Sequence, residues 1–227
     1  MILIFENIPV GPLQCNCYIL GCENTREALV IDPGDEIELI LPSLEKHQLN
    51  VRYILSTHAH IDHVGDLEKL KDKTGAKTLL HEKDLYLYEN LPAQADYLGL
   101  SVPTTTEIDR FIHQDDQIIF GNQSTVSNEK QTNPYCGNVL FTPGHTPGSL
   151  CIHFPENGKL FAGDTLFQMS IGRTDLWGGS SKDIIQSIQE HLLVLEDDTI
   201  VYPGHGPPTT IGKERHYNPF LKNLDKR

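Results

Sequence analysis

Residues 55–65 read LSTHAHIDHVG, and they close the apolar run VRYIL (51–55), which has the composition of a buried strand. Within six positions stand His58, His60, Asp62 and His63. A helical metal motif separates its ligands by four residues, because four residues return a side chain to the same helix face. His58 and His60 are instead two apart, a spacing that projects both to one side of an extended or irregular segment. Asp62 and His63 are adjacent and diverge. One ion cannot readily take all four side chains. Two neighbouring ions can, with His58 and His60 facing one and Asp62 and His63 the other.

Two metal shells need more than four ligands. Three later apolar runs end in a glycine next to a polar ligand type: LFTPGHTPG with His145, LFAGDT with Asp164, and IVYPGHGP with His205. Glycine lets backbone pass close to a bound group. The set becomes five histidines and two aspartates. Neutral imidazole and carboxylate suit zinc first, and iron or manganese as alternatives.

Around these residues the chain alternates strand and helix patterns. ILIFEN, CNCYILG and ALVID read as short strands, and DPGD (32–35) as a turn. Ile37, Ile40, Leu41 and Leu44 recur at helical spacing, with Pro42 expected to kink or shorten the helix. Val64, Leu67 and Leu70 mark a second helix face that Gly75 would stop. AKTLLH reads as a strand and EKDLYLYEN as a short helix. Residues 91–110, with Pro92, Pro103 and three threonines in a row, read as a long surface connection near a site. DDQIIF is a strand, whereas 121–137 is polar, aperiodic and read as a surface insertion. NVLFT, LCIHF, KLFAGD and TIVYP are strands, interrupted by a helix with Ile184, Ile185, Ile188, Leu192 and Leu195 on one side. The order predicts an α/β (mixed α+β) fold with sheets covered by helices, in a single domain over residues 1–227.

Composition narrows the functions. The 227 residues carry 18 basic and 31 acidic side chains, a net charge of −13, which disfavours a general nucleic-acid binder. No stretch approaches the ~20 apolar residues of a membrane span. Five cysteines, an odd number, with no basic and apolar leader in MILIFENIPV, argue against a disulfide framework and predict a cytoplasmic protein. Cys15 and Cys17 share one strand face and read as small core residues.

IDPGD (31–35), STHAHIDHVG, TPGHTPGS, FAGDTLF and YPGHGP together resemble the metallo-β-lactamase superfamily, and within it the compact glyoxalase II-like hydrolases. The resemblance covers nearly the whole chain and implies a four-layer αββα sandwich with two metal ions at one edge of the sheets. It assigns His58, His60 and His145 to the first ion, Asp62, His63 and His205 to the second, and Asp164 to both. An aspartate at 164 is similar to the glyoxalase-like, lactonase, RNA-processing and dioxygenase branches, whereas antibiotic-hydrolysing members tend to carry Cys or Ser there. GRTD (172–175) occurs in the compact glyoxalase II-like subgroup and in persulfide dioxygenases. With only 22 residues after His205, the appended helical domain that helps typical glyoxalase II enzymes hold glutathione is expected to be missing.

The implied activity is hydrolysis of a small-molecule acyl thioester, such as S-lactoylglutathione, to a hydroxy acid and a thiol. A hydroxide held between the ions and oriented by Asp62 would be the nucleophile. Arg173 and Asp175 are candidate substrate contacts, with an internal Arg–Asp pair holding the loop as the alternative, and Asp32 is a candidate acceptor for a ligand histidine, or else a turn aspartate. The rivals are a persulfide dioxygenase with one iron at His58, His145 and Asp164 or a nearby subset, a lactonase, an RNA-processing nuclease, and a protein in which metal only supports the fold. YPGHGPPTTIG favours the hydrolase over the dioxygenase, and seven ligands for two ions leave positions open for chemistry.

Overall fold

The computed structural model describes residues 3–121 and 134–222. In the first half lie the strands β1 (Leu3–Val10), β2 (Cys15–Cys22), β3 (Glu27–Ile31), β4 (Asn50–Leu55), β5 (Lys77–Leu80) and β6 (Arg110–Phe111). They form one sheet in sequence order, antiparallel through β3 and parallel from β3 to β6. The connections hold helices α1 (Ile37–Lys46), α2 (Ile61–Val64), α3 (Leu67–Thr74), α4 (Leu85–Glu89) and α5 (Leu91–Leu98). The second half supplies β7 (Gln117–Phe120), β8 (Tyr135–Phe141), β9 (Leu150–Phe154), β10 (Lys159–Gly163), a small ribbon of β11 (Leu166–Phe167) and β12 (Ser170–Ile171), then α6 (Ser181–Ser187), β13 (Ile200–Pro203), β14 (Thr209–Thr210) and α7 (Ile211–Tyr217). The second large sheet has the order β14-β13-β10-β9-β8-β7, with only β10 and β13 parallel.

Alternation along the strands shows why the sheets stack. In β2, Cys15, Cys17 and Ile19 join the core under α1–α5, while Tyr18, Leu20 and Cys22 point into the core between the sheets. In β9 and β10, Ile152, Phe154 and Phe161 face that same central core, and Cys151, Leu160 and Ala162 pack outward with Ile184, Ile188 and Ile211. Both faces of both sheets are therefore covered, which gives the four layers αββα. An aromatic cluster of Phe5, Tyr18, Phe161 and Tyr202 joins the sheets, with centroids 4.8–6.2 Å apart. No helix among the described residues is long and apolar enough to cross a membrane.

Some expectations need correction. Helix α1 runs through Pro42 to Lys46 instead of stopping there. Residues 91–98 are helix, not loop; Pro92 sits in the first turn of α5, where its missing N–H has no partner to lose. Only the remainder of 91–110 is the irregular connection. Of the insertion at 121–137, residues 122–133 lie outside the described residues, and Tyr135–Gly137 already belong to β8. The helix that starts at Ser181 widens into a π turn over Ile188–Leu192, with Ile184, Ile188 and Leu192 buried.

Candidate metal centre

Parallel strands carry their following loops to a common edge. β3 leads into Asp32, β4 into His58–His63, β10 into Asp164 and β13 into His205. His145 arrives on the turn after β8. The seven side chains named from the sequence as ligands come together at this one edge. His58 Nε2 lies 3.1 Å from His60 Nδ1, and the His145 ring lies 4.7 and 4.5 Å from these two rings. On the other side, His205 Nε2 is 3.2 Å from Asp62 Oδ2 and 3.3 Å from His63 Nε2. Asp164 stands between the groups. Its Oδ1 is 3.5 Å from His63 Nε2, and its Oδ2 is 3.5 Å from His145 Nε2 and 3.7 Å from His205 Nε2.

These donors fit cations. Side-chain donors of His58, His60 and His145 lie within 4.8 Å of one another, as do those of His58, His63 and Asp164. His145 Nε2, His60 Nε2 and Asp164 Oδ1 are buried with no hydrogen-bond partner, a costly state for a protein interior unless something binds there. Burial, then the neighbouring imidazoles, pushes His58 far below the ordinary histidine range, and burial and His145 hold His60 down at about 3. Both rings are neutral at pH 7, the form that ligates metal. Burial alone would raise Asp62, but His63 and His205 outweigh it and hold the carboxylate below its usual range. Gly204 completes the cradle, since a Cβ there would overlap Asp164 Oδ1.

Three of the candidate ligand histidines are oriented from behind. Asp32 Oδ2 lies 3.0 Å from His63 Nδ1 and accepts from Thr57 Oγ1, while Oδ1 accepts from Thr57 N. His145 Nδ1 is 2.8 Å from the Arg173 carbonyl, and His205 Nδ1 is 3.1 Å from that of Leu13. The loop of His205 is clamped from the other sheet: Tyr18 Oη donates to the Pro203 carbonyl, and Asn16 Nδ2 to those of Pro203 and Gly206. Gly34, in the DPGD turn, packs so closely on the Asp62 carbonyl that any Cβ would collide with it.

Arg173 and Asp175 are placed at the rim. Arg173 lines the cavity over the site, but its Nε and Nη2 both donate to the Asp175 carboxylate at 2.8 Å.

Several residues at the site carry no sequence signal. Asp84 is fully buried; it accepts from Ala59 N, Thr146 Oγ1 and Gly148 N, and so ties the His58–His60 segment to the His145 turn. Gln94 accepts from Ile61 N and donates to the Ala59 and Leu87 carbonyls. Both have ordinary neighbours along the chain, and only the fold gives them this position. Cys15 does more than fill space: its Sγ is 3.5 Å from His63 Nδ1, and burial pushes the thiol up to about 12.

Residues 10–205 match the profile of the Metallo-beta-lactamase superfamily. The chain is 38% identical to the hydroxyacylglutathione hydrolase GloC of Haemophilus influenzae, over 96% of this chain and 98% of that one. Among solved structures, the BLEG-1 B3 metallo-beta-lactamase superposes with a TM-score of 0.85 at 36% identity, over 96% of this chain and 100% of that one. TTHA1623, solved in a di-iron-bound form, has a TM-score of 0.83 at 38% identity, over 95% of this chain and 100% of that one.

Proposed function

This chain belongs to the metallo-β-lactamase superfamily, and from that we propose that it is a metal-dependent hydrolase of acyl thioesters, of the compact glyoxalase II type. The observation that carries the reading is Asp164, whose two oxygens face both histidine groups at 3.5–3.7 Å. In this reading His58, His60 and His145 would hold one ion and Asp62, His63 and His205 a second, with Asp164 available to both. Two such ions would supply Lewis acidity toward an acyl oxygen and lower the pKa of water to about 7.

The chain's own groups do the rest. Asp62, ionised at neutral pH, accepts a hydrogen bond from the attacking water and aligns its lone pair on the acyl carbon. Water oxygen bonds to that carbon, the C–S bond breaks with its electron pair on sulfur, and a proton from the water ends on the thiol. Asp32 and Thr57 keep His63 from turning, and the Arg173 and Leu13 carbonyls do so for His145 and His205. Leu13, Tyr97, Leu98, Leu176 and Trp177 wall the cavity over the site and shed water from the reacting carbonyl, which strengthens each of these interactions.

Zinc is the first choice of ion, with iron or manganese as alternatives; the di-iron form of TTHA1623 supports keeping iron. The likeness to GloC supports S-lactoylglutathione as a first substrate. The likeness to BLEG-1 supports a second reading, hydrolysis of a β-lactam amide. A mono-iron dioxygenase is less well supported, because it leaves Asp62, His63 and His205 idle. Cys15, Cys17, Cys136 and Cys151 carry free thiols, three of them buried, which supports a reducing, cytoplasmic compartment.

The test is direct. Protein reconstituted separately with zinc, iron and manganese is assayed for thiol release from S-lactoylglutathione, for nitrocefin opening, and for oxygen uptake with glutathione persulfide. Thiol release equal to lactate formed, at about two ions per chain, is the expected result. Oxygen uptake at one iron per chain, or nitrocefin opening without thiol release, overturns it.

A further inference from the structure

The cavity over the centre has a volume of about 310 Å³, and its far wall is Leu13, Tyr97, Leu98, Leu176 and Trp177. Trp177 meets Tyr97 edge to face, with centroids 5.3 Å apart at 78°, and lies 6.5 Å from the His60 ring. Leu13 and Asp62 also line a second cavity of about 390 Å³, bounded by the β1–β2 turn and residues 100–104.

Charge separates the two halves of a thioester. Glutathione carries two carboxylates, and a carboxylate is recognised by a free guanidinium or ammonium. Apart from histidine, the only basic side chain lining the first cavity among the described residues is Arg173, already forked onto Asp175. The only described one lining the second is Lys69, paired with Asp66, and Asp35 lines the same cavity. A net charge of −13 adds a repulsive field. Among the described residues, neither cavity offers the tripeptide's carboxylates an unpaired cation, whereas the first offers an apolar or aromatic acyl substituent an aromatic wall.

We infer that this site reads the acyl group and not the thiol: its substrates are thioesters of acids bearing an apolar or aromatic substituent, carried on any small thiol. The inference rests on the thioester reading above.

Trp177 is the only tryptophan in the chain, so its fluorescence reports on the cavity. Metal-loaded protein is titrated with mandelate, lactate and S-methylglutathione. Lactate shares the carboxylate and hydroxyl of mandelate, so chelation common to both cancels. Mandelate is expected to change the emission saturably and to bind at least about tenfold more tightly than lactate, the scale of a filled apolar pocket. S-methylglutathione leaves the emission unchanged where mandelate saturates. In turnover, kcat/KM for mandeloyl esters exceeds that for lactoyl esters by about tenfold on a given thiol, and Trp177→Leu collapses that ratio. Lactoyl esters of glutathione and of the uncharged N-acetylcysteamine agree within about threefold, a ratio that Lys69→Ala and Arg173→Ala leave in place.

S-methylglutathione binding more tightly than mandelate overturns the inference. So does a glutathione ester favoured more than about tenfold over its N-acetylcysteamine counterpart, or a fall in the glutathione ester alone in either variant. Those results leave thioester hydrolysis standing. Mandelate binding in the expected order without cleavage of any thioester sinks the hydrolase reading and leaves the acyl pocket.

Discussion

His63 has one ring nitrogen toward Asp62, Asp164 and His205 and the other toward Asp32, whose carboxylate also takes two hydrogen bonds from Thr57. Replacing Asp32 by Asn keeps the shape but puts a neutral amide where a carboxylate steadied the imidazole. Competition with a chelator should show metal affinity falling by about 10–100-fold at the site that uses His63; an unchanged affinity would mean that packing alone aims the ring. His81 shows the same logic away from the centre. Its Nδ1 accepts from Lys83 N at 3.1 Å, its ring stacks on Phe141, and burial, with His113 next, holds its pKa at about 4. A histidine depressed in the fold contributes stability that is present above the unfolded value of about 6.5 and is lost as pH falls through about 4. His81→Asn retains an acceptor for Lys83 N but cannot titrate, so its Tm should drop less between pH 7 and pH 4 than that of the native protein. Parallel Tm curves would remove His81 from the acid response.

At the scale of elements, the centre depends on loops being held at fixed distances from one another. Asp84, between β5 and α4, is the tie between the segment after β4 and the turn after β8. Burial pushes its pKa up, but hydrogen bonds from Thr146, Ala59 and Gly148 oppose that and favour the carboxylate. Asp84→Ala leaves two buried amide N–H groups and a hydroxyl without their acceptor. A loss of roughly 3 kcal/mol in urea unfolding is expected, together with weaker metal binding at His58, His60 and His145. A loss below about 1 kcal/mol would mean that water reaches those amides. Gln94 plays a similar part from α5, so a helix absent from the sequence reading helps to fix the first ligands.

For the whole molecule, charge and layering act together. A net charge of −13 repels anionic substrates over a distance set by the Debye length, about 10 Å at 0.1 M salt. Raising the salt from low to physiological ionic strength should increase kcat/KM for the anionic glutathione ester and leave the neutral N-acetylcysteamine ester unchanged. Stopped-flow thiol release measures both. A glutathione ester that slows with salt would point to a local attractive field at the cavity mouth. The four layers matter because the candidate ligands come from both sheets. His58, His60, Asp62 and His63 follow the first, whereas His145, Asp164 and His205 follow the second. Loosening the aromatic core between the sheets therefore moves one ligand group against the other.

What the amino-acid sequence determined was local. HxHxDH and the three glycine-flanked candidate ligands stand out because their chemistry is written in residue type and short spacing, and periodicity was enough to mark most strands and the α1, α3 and α6 helices. The αββα architecture followed from the resemblance those motifs carry. Residues 91–98 were misread because Pro92 is a breaker in a helix interior but neutral in a first turn, and position within the turn is not visible before the helix is. Only the tertiary structure decided that Asp164 faces both histidine groups, that Asp84 and Gln94 brace the ligand loops, that Cys15 touches His63, and that Arg173 is spent on Asp175. The physical reason is separation along the chain. Asp84 lies 25 residues from Ala59 and 64 from Gly148, and Cys15 lies 48 from His63. Such contacts are set by sheet order and by which face of a strand is buried, and no short window of sequence contains both partners.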